Sequence, residues 1–414
     1  MLEHVLRLIW NRRRASWLVV VEVAAAFLVV FVVLALALDA RANYVRPLGF
    51  AYQNIWLVQL RSNAFGGRSD AERERLRASV DDILAAIRGV PGVVGAHLIW
   101  QSPYTREWRR LSLGPEGAPI YTRINTLSAA ALKELGVRVV EGRTFGPQDE
   151  GQEYRAVLVN RAFVDMAYGG SSPLGQRINF APPRARGNVQ DGMSPAQIHE
   201  ANRELRPVGV IDDFRQDGEF SAVMPYAILL EDRMDYVTTQ IFVRVAHGTD
   251  RRLEQQIAET VRSAASGFRA TVVPWEELRA THHQASLLPL RIGATLAAFL
   301  LAMVALGLIG IVWQDVVRRT EELGLRRASG ATARAVRSQI LLEMMVICCA
   351  GIAIGILIAI QIPLLSILSQ IGWTAALPAL GLSALLILLL AAGAALYPAL
   401  LASRREPADA LRYE

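Results

Sequence analysis

Few residues in this 414-residue chain have the types and spacing that chemistry demands. His282 and His283 are paired, but neighbours on a helix point about 100° apart and make a poor chelate, unlike i,i+4 pairs. They read as polar residues at a membrane interface. Asp212 and Asp213 could form a carboxylate pair, yet adjacent strand residues face opposite ways, so both read as surface or turn residues. The two cysteines, Cys348 and Cys349, adjoin inside an apolar run and read as small helix residues. G-x-S-x-G, H-E-x-x-H and C-x-x-C are all missing from the sequence. A phosphate-binding loop needs G-x-x-x-x-G-K-[ST], whose glycine amides wrap the phosphates while the lysine reaches the terminal ones. The one lysine, Lys133, sits in Ala131-Leu-Lys-Glu-Leu135 without such glycines. These residues hold no standard ATP-binding cassette, and no catalytic residue or metal site is expected among them.

Two carboxylates fall inside apolar runs, where a charge is expensive and often marks function. Glu22 lies about one and a half turns, and Glu343 about one turn, from one end of its helix. Arg14, Arg337 or lipid headgroups are within plausible reach. A structural role, a helix–helix contact and a proton path all stay open for both.

The elements that must position these residues follow from composition. With 52% hydrophobic and 20% charged residues, the chain mixes membrane spans with a sizeable water-facing part. Four runs can cross a hydrocarbon core of roughly 30 Å, which takes about 20 helical residues. They cover 17–38, 292–313, 340–362 and 377–401. Arg7, Arg12, Arg13 and Arg14 precede the first span, and Arg318, Arg319, Arg326, Arg327, Arg334 and Arg337 lie between the second and third. Arg404, Arg405 and Arg412 follow the fourth, whereas the external connection 363–376 carries no charge. By the positive-inside rule, the segments 1–16, 314–339 and 402–414 are cytoplasmic and residues 39–291 are outside. This puts the protein in a bacterial inner membrane as a multi-pass chain. The first run, although followed by Ala35-Leu36-Ala37, exceeds a signal-peptide core of roughly 7–15 residues and reads as a retained helix. The basic balance, 44 Lys+Arg against 38 Asp+Glu, is used up by these flanks and gives no reason to expect nucleic acid.

The outer part reads as an α+β domain large enough for its own core. Strand 54–60, an amphipathic helix at 70–88 carrying Leu76, Val80, Ile83, Leu84 and Ile87, and strand 93–100 make one β-α-β unit. Strands 206–211 and 240–245, a helix at 250–266 capped by Thr249 or Asp250, and strand 269–273 suggest a second. The fold expected is therefore an α-helical membrane protein with four transmembrane helices and a large α+β extracytoplasmic domain. That domain would hold two β-α-β lobes and an inserted subdomain at about 117–205, including a mobile Pro/Gly/Arg-rich loop at 181–192.

The second-to-third connection is longer than a polar turn. It starts as a charged helix with Glu322 and Arg326 at i,i+4, breaks at Gly330, and restarts as the helix that feeds the third span. A structured, arginine-rich elbow suggests docking to a soluble partner; charge that serves topology alone is the plainer alternative. In the third span, Gly351-Ile-Ala-Ile-Gly355 has the spacing that lets helices approach closely, either within the chain or in a dimer.

Residues Arg319-Thr-Glu-Glu-Leu-Gly-Leu-Arg-Arg-Ala-Ser-Gly-Ala-Thr332 closely resemble the R-T-x-E-I-G-[IL]-R-[KR]-A-x-G-A segment of the MacB/FtsX-like family of ABC permeases. The tail from Pro398 to Glu414 resembles that family's P-A-x-x-A-x-x-x-x-P-x-x-A-L-R-x-E ending. Gly142-Arg143-Thr-Phe, Val159-Asn-Arg-Ala-Phe163, Pro173-Leu-Gly-Gln-Arg-Ile178 and Val208-Gly-Val-Ile-Asp-Asp213 resemble motifs of the MacB-like periplasmic core domain. MacB itself fuses ATPase and permease, so the match is to split-subunit members. The resemblance implies an efflux permease that transmits motion driven by a separate ABC ATP-binding subunit, which would bind the ATP and Mg. A second permease copy or paralogue would complete a dimer, and a periplasmic adaptor and outer-membrane channel are allowed for. Glu322, Gly324, Arg326, Arg327 and Gly330 would couple to the ATPase, while Gly351 and Gly355 would serve helix packing. The cargo would be an antibiotic, peptide or toxin. A lipoprotein-extracting permease of the LolC/LolE type and an FtsX-like regulator of a cell-wall hydrolase are the alternatives.

Overall fold

The computed structural model describes residues 13–62, 69–105, 109–115, 119–181, 204–231, 239–319, 325, 329, 331–365 and 371–404. The chain divides into two compact units, one of Met1–Ala42 with Ser286–Glu414 and the other of Asn43–Ala285.

In chain order, α1 (Arg13–Tyr44) leads to β1 (Ile55–Arg61), α2 (Asp70–Arg88), β2 (Val93–Leu98), β3 (Arg109–Gly114), β4 (Ile120–Leu127), α3 (Ala129–Glu134) and β5 (Val139–Gly142). There follow β6 (Tyr154–Asn160), α4 (Arg161–Tyr168), β7 (Asn179–Ala181), β8 (Glu204–Ile211), β9 (Tyr226–Leu230), β10 (Gln240–Val245), α5 (Arg252–Ala264) and β11 (Arg269–Pro274). The chain closes with α6 (Trp275–Arg318), α7 (Ala333–Ala359), the short α8 (Gln361–Leu364) and α9 (Trp373–Arg404).

Among the described residues, four stretches are long and apolar enough to cross a membrane: Trp17–Tyr44, Trp275–Arg318, Ala333–Leu364 and Trp373–Leu401. Each buries a helical stripe. Val23, Phe27 and Phe31 of α1 meet Val304, Leu308 and Val312 of α6, Met344, Cys348 and Ile352 of α7, and Ala379, Ile387, Ala391 and Ala395 of α9 in one apolar cluster. The i,i+4 recurrence is what puts these residues on one face. Opposite faces, such as Leu296, Phe299, Met303 and Leu306 of α6, are exposed, as lipid-facing positions require.

In the outer unit the two β-α-β units do not form separate lobes. They interleave in one antiparallel sheet of order β11-β1-β10-β2, the split β-α-β arrangement. The reason lies in side-chain alternation along β1. Trp56, Val58 and Leu60 face α2 and α5 together with Ile241 and Val243, while Ile55 and Leu57 face the opposite side with Phe242. All five predicted apolar residues of α2 are buried, and a reciprocal Ser69–Glu72 capping box starts the helix. Helix α5 begins later than expected and uses neither Thr249 nor Asp250 as a side-chain cap; the Thr249 hydroxyl donates to the Ala246 carbonyl instead.

The remaining strands make a second, mixed sheet of order β5-β8-β6-β9-β4-β3-β7. It covers residues 109–230, wider than the 117–205 insertion read from the sequence. Strand β8, read from the sequence as part of the second β-α-β unit, pairs in parallel with β6 of the other sheet, and β9 pairs in parallel with β4. Both faces of this sheet are covered, which is why β6 reads as a continuous apolar run. Val157, Val159, Val210 and Leu229 pack on Phe163 and Val164 of α4. Ala156, Leu158, Ile211 and Ile228 pack on Leu132 and Leu135 and, through that cluster, on Phe242 of the first sheet. Of the loop at 181–192, residues 182 onward lie outside the described residues.

Candidate functional site

The coupling residues read from the sequence, Glu322, Gly324, Arg326, Arg327 and Gly330, lie outside the described residues. Their immediate frame does not. Helix α6 ends at Arg318, and α7 starts at Ala333 with Thr332 as its N-cap, whose hydroxyl accepts from the Ala335 N–H at 3.2 Å. Within the elbow, Leu325 is 62% exposed and its carbonyl accepts from the Ser329 N–H at 2.9 Å. Glu343 of α7 takes Arg319 as its partner, with Nη1 at 2.9 and 3.2 Å from the two carboxylate oxygens. The Gln339 amide adds a donor at 3.1 Å. Arg337, a candidate partner on spacing alone, instead donates through Nε to the Ala333 carbonyl. The elbow is thus clamped at its base by one charge-assisted bridge between the helices that flank it.

Gly351 and Gly355 sit one turn apart on α7 and face α1. A Cβ on Gly351 would lie 2.8 Å from the Val20 carbonyl oxygen and from Val23, and one on Gly355 would lie 2.6 Å from the Phe27 ring. Their close approach is therefore used within the chain. Glu22 of α1 lies beside α6, where a Cβ on Gly307 would come within 3.0 Å of its carboxylate. Cys348 is buried in the helical cluster and Cys349 is exposed, as adjacent helix positions require.

In the outer unit, the residues that carry family motifs hold the frame. Gly142 has φ +76° and a Cβ there would meet the Val208 carbonyl at 2.5 Å, so β5 can approach β8 only with glycine. Arg143 grips the buried Asp149 carboxylate with both terminal nitrogens at 2.5 and 2.6 Å. That bond holds Asp149 below its ordinary pKa, against burial that pushes it up and with help from the Gly146 N–H. The Asn160 side-chain oxygen accepts from Phe163 N–H, capping α4, and from Tyr226 N–H, while its amide donates to Met224 O. Asp212 pairs with Arg138 and Arg161, and burial raises the pKa of Asp213, so the two aspartates serve different neighbours.

A buried ionic cluster gathers around Glu219. Glu219 accepts from Arg279 Nε at 2.5 Å and lies 2.7 Å from His283 Nε2. Burial pushes its pKa up, but the His283 and Arg279 hydrogen bonds outweigh this and hold it below the ordinary value. Arg279 and His283 are four residues apart on α6, a spacing readable from sequence; the adjacent histidine pair obscured it. Among the described residues no three His, Cys, Asp or Glu side chains group as metal ligands.

Two family profiles cover the chain. Residues 16–260 match the MacB-like periplasmic core domain, and residues 294–407 match the FtsX-like permease C-terminal region. The macrolide export ATP-binding/permease protein MacB of Bdellovibrio bacteriovorus is 25% identical over 92% of this chain and 56% of its own length. The pyoverdine export ATP-binding/permease protein PvdT of Pseudomonas entomophila is 24% identical over 90% of this chain and 53% of its own. The chain thus spans about half the length of these curated relatives. Among solved structures, the periplasmic region of MacB from Actinobacillus actinomycetemcomitans aligns with 56% of this chain and 94% of its own, at 12% identity and a TM-score of 0.35. Four apolar helices able to span a membrane, the α+β outer unit and the periplasmic-core match over residues 16–260 lead to one assignment: the chain belongs to the MacB/FtsX-like family of ABC permeases.

Proposed function

We propose that this chain is the permease subunit of an ABC-type export system, carrying ATP-driven motion from separate cytoplasmic ATP-binding subunits to its extracytoplasmic unit. The observation that carries this reading is the way the two family profiles divide the chain. The periplasmic-core match takes α1 and most of the outer unit, and the permease match takes the later helices with the elbow. The arginine asymmetry supports cytoplasmic termini and a cytoplasmic elbow in an inner membrane. These residues contain no phosphate-binding loop, which supports an ATP-binding part outside them that holds ATP and Mg. The names of both relatives specify export, which supports efflux of an antibiotic, peptide or toxin over lipoprotein extraction or hydrolase regulation. The working unit is two permease copies or paralogues on two ATP-binding subunits, with an adaptor and outer-membrane channel completing the route.

The elbow is assigned the coupling role, with Glu322 and Arg326 fixing its first helix and Gly330 permitting the bend. The exposed Leu325 gives it an apolar contact as well as charge. The test is the double variant Arg326→Glu/Arg327→Glu in native membranes. Inverting docked charges costs roughly 2–5 kcal/mol of association, so co-purification of the ATP-binding chain and ATP-dependent export should both drop sharply. Membrane insertion should be unchanged, since other arginines remain in the loop. Normal binding and normal export by the double variant would remove the elbow from the mechanism.

A further inference from the structure

The segment Phe214–Ser221, which follows β8, touches three different parts of the outer unit through consecutive side chains. Arg215 is 4% exposed and directs its guanidinium at four carbonyls. Nη1 donates to Asn43 O at 2.7 Å and Arg46 O at 3.0 Å, where the chain leaves α1. Nη2 donates to Glu219 O and Ser221 O, both at 2.6 Å, which curls the segment around its own side chain. The Arg215 N–H adds a bond to Leu48 O at 2.9 Å.

Gln216 and Asp217 point the other way. The Tyr226 hydroxyl donates to Gln216 Oε1 at 2.8 Å, and Asp217 pairs with Arg123, so both tie the segment to β9 and β4 of the seven-stranded sheet. The Tyr104 N–H donates to Gln216 O at 3.0 Å. Gly218, at φ +79°, makes the turn, and a Cβ there would stand 2.9 Å from the Tyr104 ring.

Glu219 then reaches α6, meeting Arg279 and His283 with 5% of its side chain exposed. Phe220 completes the junction. Its ring stacks on Tyr44, the last residue of α1, at 5.5 Å between centroids and meets the His283 ring edge-on at 4.9 Å. One eight-residue segment therefore holds the exit of α1 by Arg215, the sheet by Gln216 and Asp217, and the start of α6 by Glu219.

We propose that this segment is a two-sided clasp that couples the exit of α1 to the first turns of α6, so that loosening either side loosens the other. The inference rests on the reading above that motion passes between membrane helices and the outer unit, and names the device that keeps the two connecting stretches in step. Its physical basis is the Nη2 bond from Arg215 to the Glu219 backbone carbonyl. The side chain that grips α1 thereby fixes the backbone that aims the carboxylate at α6. Coupling through such a shared element is reciprocal, since each grip biases the same local equilibrium.

Amide hydrogen exchange on the full chain in lipid nanodiscs tests this, with Glu219→Ala and Arg215→Met as separate variants. In Glu219→Ala, amides at 277–285 should exchange faster, and those at 43–48 should also rise by about tenfold although Glu219's side chain bonds none of them. Arg215→Met should give the reciprocal pattern. Amides of β1 and β10 should keep their parent rates in both variants. A change confined to the side each residue touches, no change at all, or a rise spread through β1 and β10 would each overturn the clasp. If Glu219→Ala does not fold, Glu219→Gln keeps an acceptor while removing the charge, and the same pattern is required at smaller amplitude. Neither readout involves ATP or cargo, so failure of the clasp leaves the export reading standing, and failure of the export reading leaves this exchange pattern to be judged alone.

Discussion

Arg319 and Glu343 face each other at 2.9 Å across the base of the elbow, each with 14% of its side chain exposed. One sits just beyond the last residue of α6 and the other about three turns into α7, so the pair fixes the separation of the helices on either side of the elbow. Removing one member strands the other in a half-dry site. We expect Glu343→Ala to lower the stability of the detergent-solubilised protein by about 2 kcal/mol, as for a lost hydrogen bond between charged groups. The charge swap Arg319→Glu/Glu343→Arg should recover part of that loss. Thermal unfolding of the parent, Arg319→Glu, Glu343→Arg and the swap as a double-mutant cycle measures it, and additive single losses would mean the pair is incidental.

Acid sensitivity of the outer unit should come late. Arg143 holds Asp149 below its ordinary value of 3.8, and His283 with Arg279 hold Glu219 below 4.5. A carboxylate with a depressed folded pKa contributes stability that is fully present above its unfolded value and is lost as pH falls through the folded one. Residues 43–285, expressed alone, should therefore fold cooperatively, lose no stability through these two carboxylates from neutrality to about pH 5, and weaken below about pH 4. Arg143→Ala should destabilise this fragment by about 2 kcal/mol, less than the roughly 3–5 of a fully buried pair because Arg143 is 41% exposed. Urea titrations between pH 3 and 7 read both effects. A midpoint that falls steadily from pH 7 to 5 would contradict the assignment.

Glycine at 351 and 355 is required by α1 rather than by helix geometry. Gly355→Leu puts a side chain where the Phe27 ring already lies, and overpacking of this kind costs roughly 1–3 kcal/mol or more. Gly393→Ala is the control, since nothing lies within 4 Å of the added Cβ. Detergent-resistant yield and melting temperature should fall for Gly351→Val and Gly355→Leu and hold for Gly393→Ala. Equal behaviour of all three would place the packing surface elsewhere.

Orientation can be read with impermeant thiol reagents on intact cells, starting from a chain in which Cys348 and Cys349 are replaced. Tyr121, 74% exposed on β4, is a suitable outer position. Tyr121→Cys should label from outside and Ser329→Cys only after permeabilisation. The reverse pattern would invert the topology.

The spans, the existence of an α+β outer unit and the amphipathic face of α2 were legible because each rests on local periodicity. Sheet order was not. The pattern in β8 announces a buried strand but does not say that its neighbour is β6 rather than β10, because such pairing is decided by cores assembled from distant segments. Likewise Gly142, Arg143 and Asn160 stood out as motif residues, yet their duties, a tight approach, a carboxylate grip and a helix cap, appear only once β5, β6 and β8 lie side by side. Glu343 was legible as an unusual charge, while its partner Arg319 lies beyond the elbow in sequence and required the helices to be brought together. Glu219 carried no signal of its own; only the i,i+4 spacing of Arg279 and His283 hinted at a shared acceptor.

The position of β1 between β10 and β11 has a consequence for biogenesis. Strand β1 leaves the ribosome soon after the first span, but both of its neighbours come from the far end of the outer unit. Until Gln240–Pro274 has been synthesised, Ile55, Leu57 and Val58 have no strand to pair with, and the apolar face of α2 has no finished sheet to cover. The seven-stranded sheet is complete at Leu230 and can close first. Such a long-range pairing is intrinsically slow. The nascent chain must therefore carry a sticky, half-made layer through most of the domain's synthesis, a natural station for a chaperone.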